Sequence, residues 1–134
     1  MRHLRVALLL ALGLVFSAFQ DLTAPSAYAS TLPSNFSLTF TSGGTTNSPT
    51  YTPQRPHMGV VVYVKATQAG TFQVQRLDSA GNWNNLMTAT AAAANTEDRH
   101  IFDYPIAGQL RVQYVNTSAA SGTALVSFID KAAI

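Results

Sequence analysis

The chain contains no cysteine. That excludes a disulfide framework, a thiolate metal site, a cysteine nucleophile and a lipid-modified cysteine anchor. Glutamate occurs once, at Glu97, and neither G-x-S-x-G nor H-E-x-x-H occurs, so the common hydrolase and zinc-protease signatures are missing. Charge is sparse. Beyond position 29 the cations are Arg55, Lys65, Arg76, Arg99, Arg111 and Lys131, against Asp78, Glu97, Asp98, Asp103 and Asp130. They leave a single net positive charge and form no basic stripe, which argues against nucleic acid as a partner.

Long apolar runs are also scarce. The longest near the amino terminus, Val6 to Ala18, has about 13 residues where a spanning helix needs about 20. Arg2 and Arg5 precede it, and a more polar stretch ending in Ala27-Tyr28-Ala29 follows. Small residues at −3 and −1 suit signal peptidase, so residues 1–29 read as a signal peptide cleaved after Ala29. The expected location is the periplasm or the medium, with no membrane span in the mature chain. About 105 residues then remain, enough for one domain. Without disulfides, its stability rests on core packing and sheet hydrogen bonds.

What is present is period-two alternation. Phe36, Leu38 and Phe40 alternate with polar residues, as do Phe72 and Val74 with Thr71, Gln73 and Gln75. Leu110, Val112 and Tyr114 alternate with Gln109, Arg111 and Gln113 in the same way. Each pattern predicts a half-buried strand. Val60 to Val64 is apolar on both faces and predicts a central strand covered on both sides. Gln68 to Gly70 reads as the turn joining it to the next strand, and Asp78 to Asn82 as a further turn with Gly81 free to take positive φ. Trp83 to Thr90, Arg99 to Asp103 and Ala124 to Ile129 complete about seven strands. The segment 41–57, rich in Ser, Thr, Gly and Pro, reads as a long loop or linker. The four alanines 91–94 read as a loop or one helical turn, too short to hold as a helix. The expected fold is all-β: a single antiparallel sandwich, jelly-roll or immunoglobulin-like. Residues 30–57 supply a strand and loop, residues 58–134 the body, in one domain. Val60, Val62, Val64, Phe72, Val74, Leu110, Val112, Tyr114, Val126 and Phe128 form the expected core, with Leu125 and Ile129 competing for the inward set of the last strand.

Gly70 to Gln75, the turn Asp78 to Asn82 and Trp83, together with Leu110 to Asn116, resemble a hairpin and strand of small jelly-roll-like modules. Such modules occur on phage tail and baseplate proteins and on secreted bacterial surface proteins. The likeness covers roughly residues 58–130. Ser79-Ala80-Gly81 departs from the tight Asp-Gly turn of that pattern, and a signal peptide is unusual for a virion part. The resemblance implies a module that displays, attaches or assembles, and it supplies no ligand site.

Candidate chemistry is thin. His100 and Asp103 lie three apart on a strand and point to opposite faces, so no nucleophile–base pair suggests itself, and no enzymatic activity is expected. Glu97, Asp98, Asp103 and Asp130 would offer oxygens to Ca²⁺ if one end of the sandwich gathered them. The competing reading is solvated acids at strand ends, and no other cofactor is expected. Trp83, Tyr51, Tyr63 and Tyr104 are candidates for a sugar-stacking platform. For Trp83 the favoured reading is a core position just after the turn, and Tyr51, in a Pro/Thr loop, is expected to be exposed. Arg111 faces outward, to pair with Asp78 or Asp103 or to meet a ligand. Asn35-Phe36-Ser37 and Asn116-Thr117-Ser118 match the glycosylation sequon and are read as chance. The expected function is a secreted, non-enzymatic module for binding or surface display, with a carbohydrate or cell-envelope ligand or a protein partner at the cell surface. The alternative is a self-assembling homo-oligomer whose Phe36 to Phe40 strand completes a neighbour's sheet across a linker of about 17 residues, a reach of over 40 Å.

Overall fold

The computed structural model describes residues 33–55 and 58–131. The signal peptide and its cleavage after Ala29 lie outside these residues, as does His57. Nine strands follow in chain order: β1 (Ser34–Phe40), β2 (Thr45–Asn47), β3 (Val60–Ala66), β4 (Gly70–Leu77), β5 (Trp83–Asn85), β6 (Thr90–Ala92), β7 (Glu97–Phe102), β8 (Leu110–Asn116) and β9 (Gly122–Asp130). None of the described residues is helical, so no described helix is long and apolar enough to cross a membrane. The strands form two antiparallel sheets, a four-stranded one ordered β1-β9-β3-β7 and a five-stranded one ordered β2-β8-β4-β5, with β6 also on β4. The chain switches sheet at nearly every connection. That order is the double Greek key of a jelly roll, which decides between the two expected sandwiches.

The core follows from the alternation. All ten residues expected inside are at most 2% exposed. Val126 and Phe128 take the inward positions of β9, leaving Leu125 exposed and Ile129 half-buried on the outer face. Phe40 packs on Tyr114 with ring centroids 4.9 Å apart, and Tyr51 stacks on Phe128 at 4.9 Å. Each large apolar side chain buried this fully contributes about 1.5–3 kcal/mol. Tyr114 keeps its hydroxyl bonded by donating to the Gln68 carbonyl.

Several expectations are corrected. There are nine strands where about seven were expected, because the 41–57 segment contains β2 and because Trp83 to Thr90 is split. β5 lies along Gln75–Leu77 of β4 and β6 along Gly70–Phe72. β6 takes in Ala91 and Ala92: pairing with β4 overrides the helix propensity of alanine, and Ala92 is buried. The 41–57 segment is no detachable linker. β2 pairs with β8, and Tyr51 and Leu110 exchange backbone hydrogen bonds of 2.8 and 2.7 Å. β3 is central but has only one covered face, since Val61 and Tyr63 remain half-buried on the outside.

β3 and β4 are not a hairpin either. They face each other across the core in different sheets. The pairing of β4 with β8 sets Gly70 against Val115 and Tyr114, where a Cβ would overlap the Val115 carbonyl oxygen, so only glycine fits. The amino-terminal strand β1 pairs with β9 of its own chain along its full length, Ser34 with Phe128 through Phe40 with Gly122. Asn116 is 1% exposed and its Nδ2 donates to the carbonyls of Thr41 and Ala120, so that sequon is closed to modification in the folded chain.

Candidate functional site

On the outer face of the five-stranded sheet, β4 and β8 run side by side, with Gln73 opposite Gln113 and Gln75 opposite Arg111. β2 places Asn47 beside Gln113, and β5 places Asn85 beside Gln75 and Trp83 beside Leu77. The register therefore lines up five amides and one guanidinium on the outward face, with Leu77 and Trp83 beside them.

They are joined in two chains of hydrogen bonds. Arg111 Nε donates to Gln75 Oε1 at 2.8 Å, and Gln75 Nε2 donates to Asn85 Oδ1 at 2.9 Å. The direction is forced. A guanidinium nitrogen can only donate, so Gln75 must present its oxygen to Arg111 and its amide nitrogen to Asn85. In the second chain Gln73 Nε2 donates to Gln113 Oε1 at 2.7 Å, and Gln113 Nε2 donates to Asn47 Oδ1 at 3.3 Å. The Arg111 guanidinium carbon lies 4.3 Å from the centroid of the Trp83 ring, a cation–π contact. Gln75 is buried even though it belongs to the outer face; its two hydrogen bonds satisfy both ends of the amide. Burial draws the Arg111 pKa downward because the charge has lost part of its water.

At the margin of this face, the turn after β4 is closed by Asp78. Its Oδ1 accepts from the backbone N–H of Ala80 and Asn82, and its Oδ2 from Asn84 Nδ2. These bonds, led by that from the Asn82 backbone, hold the carboxyl below its usual range. Gly81 takes φ 86° there. A groove of about 550 Å³ lined by Arg76 to Ser79 and Ala107 to Gln109 adjoins the turn.

Of the candidate ligand-binding residues, the fold brings Trp83 and Arg111 together and separates the rest. Trp83 is half-exposed on the outer face, not in the core. Arg111 pairs with neither Asp78 nor Asp103: the first is occupied by its own turn, and Asp103 pairs with Lys131. Tyr51 is buried, contrary to the expectation of an exposed loop residue. Its hydroxyl donates to Asp130 Oδ1 at 2.7 Å, and burial first and Asp130 second push its pKa upward. Tyr63 faces out from the other sheet, opposite Arg99 and Ser127, and Tyr104 stands exposed just after β7 with its ring edge-on to Phe102. The four aromatics thus form no common platform.

The four carboxylates do not assemble into a cation site. Asp130 is buried and taken up by Tyr51 and by the backbone N–H of Gln54 and Arg55, which pins the 51–55 segment to β9. Glu97 and Asp98 are successive residues of β7 and so point to opposite faces. Among the described residues no group of three His, Asp or Glu is placed to hold a metal ion. His100 lies against the Phe102 ring at 4.6 Å.

Sequence reasoning missed Gln73, Gln75, Gln113, Asn47 and Asn85 as functional candidates. The signal was there: amides recur at the outward positions of two strands. It had no meaning until those strands proved to be neighbours.

No family model matches the chain, and no curated protein does. Solved structures share its fold. The exported protein XepA of PBSX is 15% identical with a TM-score of 0.62, over 82% of this chain and 40% of XepA. PirA is 17% identical with a TM-score of 0.51, over 77% of this chain and 98% of PirA. The enzymatically active domain of a bacteriophage CBA120 tailspike protein is 19% identical with a TM-score of 0.47, over 72% and 15%. The resemblance to a module of an exported protein therefore stands, at the level of the fold.

Proposed function

We propose that this chain is an exported, non-enzymatic jelly-roll module that binds carbohydrate across the outer face of its five-stranded sheet. The observation that carries this reading is the interlocked array of Asn47, Gln73, Gln113, Gln75, Asn85 and Arg111. A sugar hydroxyl both donates and accepts, and so does an amide; a row of amides held in register is complementary to a row of hydroxyls. Holding long side chains in place beforehand lowers the entropy lost on binding. The three-part leader in residues 1–29 supports export, where glycans and cell-envelope polymers are met.

The test is glycan-array binding by protein recovered from secreting cells, alongside a Gln73→Ala, Gln113→Ala double variant. Wild-type binding that the double variant loses, with an unchanged melting temperature, is the expected result. Absence of binding to every glycan would overturn the carbohydrate reading. Robust hydrolase or lyase turnover by the pure protein would overturn the non-enzymatic one.

A further inference from the structure

The outer face of the five-stranded sheet carries one cation and no anion. Arg111 is the cation; the other outward side chains described on β2, β4, β5 and β8 are neutral. Among the described residues no carboxylate forms an ion pair with Arg111. Its only hydrogen bond among those residues uses Nε, leaving both Nη groups unpartnered. The side chain is nevertheless fixed, by Gln75 on one edge and by the Trp83 ring against its plane. An exposed arginine without a counter-ion ordinarily samples many rotamers; this one is held from two sides.

The amide chain adds to the same polarity. Because Arg111 forces the direction of Gln75 and then of Asn85, the end of that chain is the Asn85 Nδ2, a donor. The face therefore presents a guanidinium edge and an amide nitrogen, both seeking acceptors. A planar carboxylate accepts two parallel N–H groups from a guanidinium, and the amides alongside then read hydroxyls of the ring that carries it.

Resting on the carbohydrate reading of this face, we infer that its ligand is an acidic saccharide, a sugar ring bearing a carboxylate, with Arg111 as the carboxylate-binding residue. Gln75 and Trp83 are positioning residues that act through Arg111. A ligand carboxylate also restores to the guanidinium the charge-assisted bonds that partial burial removes.

The experiment is calorimetric titration of the secreted protein with trigalacturonate and with its carboxyl-reduced counterpart, and with sialyllactose and lactose as a second pair. The expected result is at least about tenfold tighter binding of the acidic member of one pair, the preference disappearing in Arg111→Gln. Arg76→Gln, on the opposite side of β4, serves as the charge control and should leave the preference intact. Arg111→Lys keeps the charge but not the paired geometry, and should lose most of the preference. Gln75→Met should weaken it, and should broaden the Arg111 Nε–H resonance in wild-type-like folded protein, which a merely structural role for Gln75 would not do. Equal affinity for acidic and neutral members overturns this inference and leaves the carbohydrate reading standing. Binding of none of the four sugars overturns the inference, and the glycan array then decides the broader reading. Equal affinity for polyglutamate or inorganic phosphate means that the face reads charge alone, and also overturns the inference.

Discussion

The two sheets have outer faces built by the same alternation and filled in opposite ways. On the five-stranded sheet the outward positions of β2, β4, β5 and β8 include five amides and one guanidinium, set among Thr45, Thr71, Leu77, Trp83 and Val115, and these polar groups bond to one another in two chains. On the four-stranded sheet Ile129, Val61 and Ile101 stand in one row, with Leu125 beside Lys65 and Tyr63 beside Arg99. Ile101 and Leu125 are 40% and 49% exposed. A sheet needs one buried face to fold, and the other is released from that demand. Apolar residues there contribute through strand preference and cross-strand contact, about 0.2–1 kcal/mol a pair. An interlocked polar network goes beyond that demand: it orders long side chains on a surface where water would serve them equally well. This contrast is what singles out the amide face as the candidate site.

The contrast depends first on the core that separates the two faces. Val112→Asp should abolish the fold, because an unpaired charge at a fully buried position costs about 4 kcal/mol or more; circular dichroism and thermal melting would show it. Its neighbour Gln113→Asp, on the amide face, should shift stability by less than about 1 kcal/mol and weaken sugar binding. Equal melting points for the two variants would mean that the faces of β8 are reversed.

Tyr51→Phe should destabilise by about 1–3 kcal/mol, since Asp130 Oδ1 then loses its buried donor. It also tests pH dependence. The folded state raises the pKa of Tyr51 above its unfolded value near 10. The contribution is therefore whole below about pH 10 and is lost as pH rises through the folded pKa. Urea titrations at pH 8 and pH 11 should show wild-type stability falling, and the Phe variant falling less.

Gln75→Leu should cost about 1 kcal/mol, because Arg111 and Asn85 both lose a partner yet can turn to water. Its larger effect should be on ligand affinity, and intact affinity would end the positioning role. Leu125→Ser on the apolar face should change stability by less than about 0.5 kcal/mol and leave ligand binding untouched. A loss of several kcal/mol there would mean that this face is covered in solution, which analytical ultracentrifugation of both forms would reveal.

Much of the inner face was legible because burial imposes a local rule. Phe72-Gln73-Val74 or Val112-Gln113-Tyr114 shows its buried side within three residues. β2 was not legible, since three residues, Thr45 to Asn47, carry no apolar alternation and owe their strand geometry to β8. Tyr51 looked like an exposed loop residue because its partner Asp130 lies 79 residues further along the chain. Trp83 and Arg111 could be named as candidates separately; that they touch depends on which edge of β4 each strand occupies.

By itself, then, the amino-acid order determined that the described chain would be all-β, which residues of most strands would point inward, and that no disulfide would support them. Those properties follow from period-two patterning and composition, which act over a few neighbouring residues. Only the tertiary structure decided the jelly-roll order, the burial of Tyr51 and Asp130, the separation of the four carboxylates, and the array around Arg111. Each depends on pairing between distant strands, and antiparallel pairing is set by the packing of the whole core, which no short stretch of sequence contains.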